Sequence, residues 1–363
     1  MHSIETIRNI HFEPSSLCNA RCPVCPRYLH GGIKNKNLKE QAVSFSTFKK
    51  WFPHDLLGGL DRLLFCGNYG DPMTTPDMLD IVEYTLGTDI GSLVINTNGG
   101  LRNEEFWIRL GELSKNQGRG DRLTVVFAID GLEDTNHLYR RGVEWDTLYR
   151  NFNSYIKSGG RAYWSWLSFH HNQHQLEKAK QLSEEWGFKS FYTTSPYGFV
   201  RESEVGYPDR IPSMMVLDKD GNYEYELYSV DVDKDKLNKP MPGFRREINY
   251  DSIDYIPQPS SDDIRDRDNE LSCISIDNDE VYISADGQVH PCCYLSGLKD
   301  SPYHSYMKYQ YIEIVDPYYD NLNLKNHSLK TILQNDFYQK KMTEGLKPGE
   351  KRLAGCSTFC SKR

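Results

Sequence analysis

The chain has 363 residues, enough for one large domain or two smaller ones, and its 38 % hydrophobic and 26 % charged content is that of an ordinary globular protein. A formal net charge of −8 with no basic block argues against tracking along nucleic acid, which needs clustered Lys and Arg. No stretch approaches the ~18 uninterrupted apolar residues of a membrane span, so a membrane role is not expected either.

The N-terminal MHSIETIRNIHFEP has neither a basic head with an apolar run nor a small-residue cleavage site. The expected setting is therefore cytoplasmic, where nine cysteines read as metal ligands or catalytic thiols before disulfides. Over roughly the first 200 residues, β-rich runs alternate with helical patterns, which predicts βα units and a parallel sheet. The predicted strands are 7–12, 62–65, 92–96, 122–128, 162–169 and 190–194. Between them, Asn103 caps a helix with Phe106, Leu110 and Leu113 on one face. Leu148, Phe152 and Tyr155 form a second stripe, stopped by Gly159 and Gly160, and Leu176, Ala179, Leu182 and Trp186 a third, closed by Gly187. Six strands and five crossovers predict an α/β chain with an open, partial (β/α)6 barrel.

From 196 to 270 the pattern dissolves into Asp, Lys, Tyr, Pro and Ser, as in DVDKDKLNKPMPGF. This reads as an insertion or linker of unknown role, with one hairpin around the turn DKDGN at 218–222. A second unit, 271–363, opens with the hairpin-like run ISIDNDEVYISADGQVHP, where Asp286-Gly287 supplies the turn. A short helix around 329–342 follows, and the chain ends in CSTFCSKR.

Chemistry concentrates in Cys18-Asn-Ala-Arg-Cys22-Pro-Val-Cys25, just after the first strand. Three thiolates spaced CxxxCxxC can hold three irons of a 4Fe–4S cube and leave the fourth open, whereas four ligands would close it. Zinc is the competing reading, although zinc sites use CxxC pairs and want four ligands.

This loop resembles the signature of the radical S-adenosylmethionine (SAM) superfamily, and the resemblance extends over about residues 7–195. It implies that SAM chelates the open iron, and that its reductive cleavage gives a 5′-deoxyadenosyl radical which removes hydrogen from substrate. Tyr69-Gly70-Asp71-Pro72, after the second strand, resembles the family's Gly-Gly-Glu-Pro segment for the SAM amino group, with Tyr for the first Gly and Asp for Glu. Asn96-Thr97-Asn98-Gly99 is similar to its Thr-Asn-Gly turn. Ala128-Ile129-Asp130-Gly131 and the following His137-Leu138-Tyr139-Arg140-Arg141-Gly142 resemble elements of peptide-modifying members. The resemblance thus implies SAM contacts at Tyr69, Gly70, Asp71, Asn98 and Asp130, with Asp130 near the ribose or substrate. These turns lie at C-terminal strand ends, where barrel sites are built.

A second constellation comprises Cys273, Cys292, Cys293, Cys356 and Cys360. It resembles the auxiliary-cluster domain called Twitch, the shortened relative of SPASM, and implies one further 4Fe–4S cluster. The expected ligands are Cys273, Cys292, Cys356 and Cys360, because adjacent cysteines rarely reach one cluster and Cys292 completes a GxxxxC pattern. Zinc or a closed structural cluster are the alternatives, and Cys293 is a packed thiol or a spare. Cys66 reads either as a thiol facing the SAM pocket, donating hydrogen or a proton in catalysis, or as a small buried hydrophobe. His170 and His171 bond substrate or cap a strand.

Two cofactors follow from the resemblance: SAM, and 4Fe–4S clusters at two sites. The expected function is oxidation or crosslinking of a ribosomally made peptide, with the auxiliary cluster as electron acceptor. A reducing partner such as flavodoxin or ferredoxin is implied, and any leader-binding domain is expected to be a separate protein. The rivals are a radical SAM dehydrogenase of a sugar or cyclitol alcohol, and an Fe–S electron carrier or scaffold that would cleave no SAM.

Overall fold

Alternating burial along the strands decides how the sheet is used. In the computed structural model, which describes residues 6–115, 122–194, 200–202, 208–210, 213–230, 268–301, 306–349 and 351–360, the strands are β1 (Asn9–Phe12), β2 (Tyr28–Leu29), β3 (Ile33–Lys34), β4 (Arg62–Phe65), β5 (Ser92–Thr97), β6 (Leu123–Ala128), β7 (Arg161–Leu167), β8 (Ser190–Thr194), β9 (Val200–Glu202), β10 (Pro208–Arg210), β11 (Ser213–Leu217), β12 (Tyr223–Tyr228), β13 (Glu280–Ile283) and β14 (Val289–His290). β1, β4, β5, β6, β7 and β8 lie side by side and parallel, the open α/β barrel sheet that the βα alternation predicts. Expected and observed strand ends differ by at most two residues, as frayed ends do.

On β5, Leu93, Ile95 and Thr97 are buried while Val94 and Asn96 stay half-exposed. On β7, Ala162, Trp164 and Trp166 are buried while Tyr163, Ser165 and Leu167 do not close over. Period two sends one set outward under the helices and the other into the barrel. The outer set forms the core with Leu110, Leu148, Phe152 and Tyr155 of the crossover helices, all fully buried. Those helices include α1 (Phe45–Trp51), α2 (His54–Gly58), α3 (Met78–Leu86), α4 (Glu104–Lys115), α5 (Asn136–Tyr139), α6 (Trp145–Lys157) and α7 (Leu176–Glu185). Asn103 caps α4 as expected, its Oδ1 accepting from Phe106 N at 3.1 Å. The inner set is only partly buried.

The C-terminal hairpin does not stand apart. β13 pairs with β14 and also runs parallel to β1, Asn9 opposite Glu280 and Phe12 opposite Ile283, so the sheet has eight strands. An open barrel leaves the β1 edge with unpaired backbone groups, and β13 satisfies them. The 274–291 run is also not all hairpin: Ile274–Asp277 forms a helical turn before β13. Near 329–342 the expected single helix is broken into Leu329–Leu333 and a π-turn at Phe337–Lys341. There Asn335 Oδ1 accepts from Phe337 N at 2.9 Å, a local bond that competes with helical pairing.

The turn at 218–222 joins β11 to β12 as expected. This hairpin docks on the barrel mouth through Leu217 N to His30 O (2.9 Å), His170 N to Tyr228 O (3.1 Å) and Arg141 Nη1 to Leu217 O (2.7 Å). Most of 196–270 otherwise lies outside the described residues. Among the described residues, no helix is long and apolar enough to cross a membrane.

Candidate active site

The three-cysteine loop leaves β1 and is pinned at both flanks. Buried Arg27 donates to Ser16 O and to Glu40, and Ser16 N reaches Gln41 O at 2.9 Å. Within the loop, Cys25 N bonds Cys22 O at 3.1 Å. Nitrogen donors approach the sulfurs: Ala20 N (3.4 Å) and Asn98 Nδ2 (3.6 Å) at Cys18, and Arg140 Nη1 (3.7 Å) at Cys22. Burial raises all three thiols, Cys25 to about 12, so they become thiolates only when a metal displaces the proton. Among the described residues, no three Cys, His, Asp or Glu side chains converge on a point that could hold one metal ion. Three thiols of one short loop, two of them facing N–H donors, fit a cluster held by three thiolates.

Next to the loop, the strand-end turns are tied to one another. Asp71 is buried; Thr97 Oγ1 donates to both its carboxylate oxygens (2.9 and 3.1 Å), as do Asn98 N (2.8 Å) and Met73 N (2.9 Å) to one each. The carboxylate expected at the SAM amino group thus braces two turns. A Cβ on Gly70 would sit 1.7 Å from Ser15 O, so only glycine lets this turn approach the cysteine loop. The Tyr69 side chain points elsewhere, donating to Gly297 O at 3.1 Å. Asn98 spans Asn19 Oδ1 (2.8 Å), Gly100 N (2.8 Å) and Cys18.

Glu13, which sequence reasoning missed, organises this turn. Its Oε1 accepts from Tyr69 N (2.8 Å) and Gly70 N (2.9 Å), and its Oε2 from Tyr282 OH (2.9 Å). Burial pushes its carboxyl up to about 7. The one available signal was a carboxylate directly after the apolar strand in HFEP.

Asp130 is fully buried, accepting from Arg140 Nε and Leu167 N, both at 2.6 Å. Burial raises its carboxyl and the guanidinium opposes that rise. Its expected contact with ribose or substrate competes with this ion pair. Cys66 stands at the end of β4, its carbonyl accepting from His11 Nε2 (2.7 Å) and its thiol, bonded to Asn96, pushed up to about 11 by burial. Asn96 belongs to the inner, half-exposed row of the barrel, as does Ser165, which bonds Tyr192. His171 stacks on Phe169 at 5.3 Å, and the His170 backbone holds the β12 end.

Cys273, Cys292, Cys356 and Cys360 line one small cavity with Leu295, Met342 and Phe359. Cys292 caps the helix Cys293–Lys299, its Sγ accepting from Leu295 N at 3.5 Å. Cys356 and Cys360 lie four apart on the helix Ala354–Cys360 and so share a face. The Cys360 thiol donates to Cys273, which lowers Cys273 and raises Cys360. Four thiols lining one apolar cavity fit a cluster held by four thiolates. Cys293 is not part of this lining; burial, with the neighbouring Cys66 adding to it, pushes its thiol up to about 12, and its carbonyl accepts from Asn68 Nδ2 at 2.8 Å.

Residues 273–361 match SPASM, an iron–sulfur cluster-binding domain. Among solved structures, hexahistidine-tagged anSMEcpe with bound AdoMet is similar at a TM-score of 0.55 and 13 % identity, over 98 % of this chain and 86 % of that one. Native anSMEcpe with AdoMet and Kp18Cys peptide gives 0.53 and 14 %, over 97 % and 88 %. Streptococcus suis SuiB bound to precursor peptide SuiA gives 0.51 and 14 %, over 93 % and 67 %. Against SuiB bound to S-adenosylmethionine the chain spans 62 % of that protein's length, at 16 % identity, 80 % coverage of this chain and a TM-score of 0.47. No curated protein matches the sequence. At such identities the likeness establishes the fold.

Proposed function

For a chain with the radical SAM fold and a C-terminal SPASM iron–sulfur domain, we propose that it cleaves SAM reductively and oxidises or crosslinks a ribosomally synthesised peptide. When bound, the first cluster would supply the electron for that cleavage, and the auxiliary cluster would take up an electron from the oxidised substrate. Cys18, Cys22 and Cys25 would hold the first cluster, and Cys273, Cys292, Cys356 and Cys360 the second. The Asp71–Thr97–Asn98 network keeps the SAM-facing turns rigid, and Glu13 holds the 69–70 backbone by binding its N–H groups.

The observation that carries this reading is the three-thiol loop fastened to turns from β4 and β5 at one end of the barrel. The peptide class is supported by the peptides bound in the anSMEcpe and SuiB structures. A sugar or cyclitol alcohol is a second reading, favoured by the neutral amide and hydroxyl groups of Asn96, Ser165 and Tyr192 on the inner wall. Anaerobically reconstituted protein, reduced with dithionite in the presence of SAM, is expected to release 5′-deoxyadenosine. None at full iron loading refutes the enzyme reading. Peptides encoded beside the gene, assayed by mass spectrometry against polyols, separate the two substrate classes.

A further inference from the structure

Arg140 lies just past α5, its backbone N bonding Asn136 O at 2.8 Å. Its guanidinium is held from three sides. Nε donates to Asp130 Oδ2 at 2.6 Å, the plane lies 5.2 Å from the Tyr139 ring centroid, and Nη1 points at Cys22 Sγ, 3.7 Å away. Only 17 % of the Arg140 side chain and 1 % of the Asp130 side chain are exposed. Asp130 is itself oriented by Leu167 N on its other oxygen and by Asn172 Nδ2 on its carbonyl. Backbone, carboxylate, guanidinium and sulfur thus form one ordered series.

We propose that Arg140 is a positioning residue that raises the reduction potential of the cluster on Cys18, Cys22 and Cys25 through an N–H···S bond to Cys22, with Asp130 aiming the guanidinium and offsetting part of its charge. The inference rests on the cluster assignment made above. An electron entering a thiolate-bound cluster adds a full negative charge to a dry site. A fixed cation at hydrogen-bond distance from a ligand sulfur stabilises that added charge more than it stabilises the oxidised state. A guanidinium suits the task because it stays charged when buried and can serve a carboxylate and a sulfur with different N–H groups. Asp130, of opposite sign and one bond further away, acts against it. An ion pair that served folding alone would leave the potential unchanged.

The test is an EPR-monitored redox titration of the full chain with both clusters loaded, following the signal that changes when SAM is added to parallel samples. In SAM-free protein, Arg140→Gln is expected to move that midpoint to more negative potential, by the equivalent of a tenfold loss of reduced fraction at fixed poise, about 59 mV for one electron. Arg140→Lys is expected to recover part of the shift, and Asp130→Asn to move the midpoint the opposite way. An unchanged midpoint in fully loaded Arg140→Gln overturns the proposal, as does a change that appears only with SAM present, which would make Arg140 a SAM contact. If Arg140→Gln does not load iron, Asp130→Asn decides alone, and an unchanged or more negative midpoint overturns the idea. Absence of any SAM-responsive signal in unaltered protein instead removes the cluster assignment, and the inference with it.

Discussion

Replacing Glu13 by Gln should change how stability responds to pH. In the native protein this carboxyl is fully buried and titrates near 7, against 4.5 for the free group. Between those values the native state keeps a proton that the unfolded chain has released, so unfolding is favoured progressively as pH rises through the window. Below pH 4.5 both states are protonated and the effect is absent. Above 7 it is complete, and the difference of 2.5 between 7 and 4.5 corresponds to about 3 kcal/mol. Gln keeps an oxygen for Tyr69 N and Gly70 N and can donate to the Tyr282 hydroxyl, so it preserves the geometry without the titration. Urea unfolding of both proteins at pH 4.5, 6 and 8 should show the stability of the Gln variant gaining about 3 kcal/mol on the unaltered protein across the series. A difference flat in pH would refute the reasoning, because it would mean that Glu13 titrates as a solvated carboxyl. Glu13→Ala removes the titration too, and should be less stable than the Gln variant by roughly 1–3 kcal/mol per unpaired N–H at every pH.

Cys22→Ala should abolish 5′-deoxyadenosine formation while leaving the far-UV circular dichroism unchanged; residual cleavage at a tenth of the original rate or more would argue against a cluster in that loop. Cys356→Ala should lower iron from about eight to about four per chain, spare some SAM cleavage and block product, and unchanged iron would remove Cys356 from the ligand set. Gly70→Ala places a methyl 1.7 Å from Ser15 O and cannot be absorbed by a rotamer; SAM should no longer alter the cluster EPR spectrum although iron still binds. Trp164 is fully buried and stacks on Trp186 at 5.6 Å and 3°, so Trp164→Ala should cost about 3–5 kcal/mol in urea unfolding, and a loss below about 1 kcal/mol would contradict the packing.

Much of the fold was legible because it is written in local spacing. Short β-rich runs marked the barrel strands, as at 62–65 and 190–194, and the helix stripes at Leu148, Phe152 and Tyr155 marked the crossovers. The three-cysteine loop is equally local, since gaps of three and two residues confine the thiols whatever the rest of the chain does. The motif order placed the turns at 69–72, 96–99 and 128–131 on one end of the sheet, because successive parallel strands end on the same side.

Side-chain commitment could not be read that way. That Asp71 would be consumed by Thr97 and Asn98, 26 and 27 residues on, depends on neighbouring strand ends meeting with their donors already short of acceptors. The pairing of β13 with β1 and the bond from Tyr282 to Glu13, 269 residues apart, arise because an open barrel must satisfy its edge with whatever strand the chain returns. Residue identity and spacing thus determined which chemistry this protein can carry. Only chain closure decided which carboxylates remain available to it, because a hydrogen-bond acceptor belongs to whichever donor the fold brings within 3 Å first.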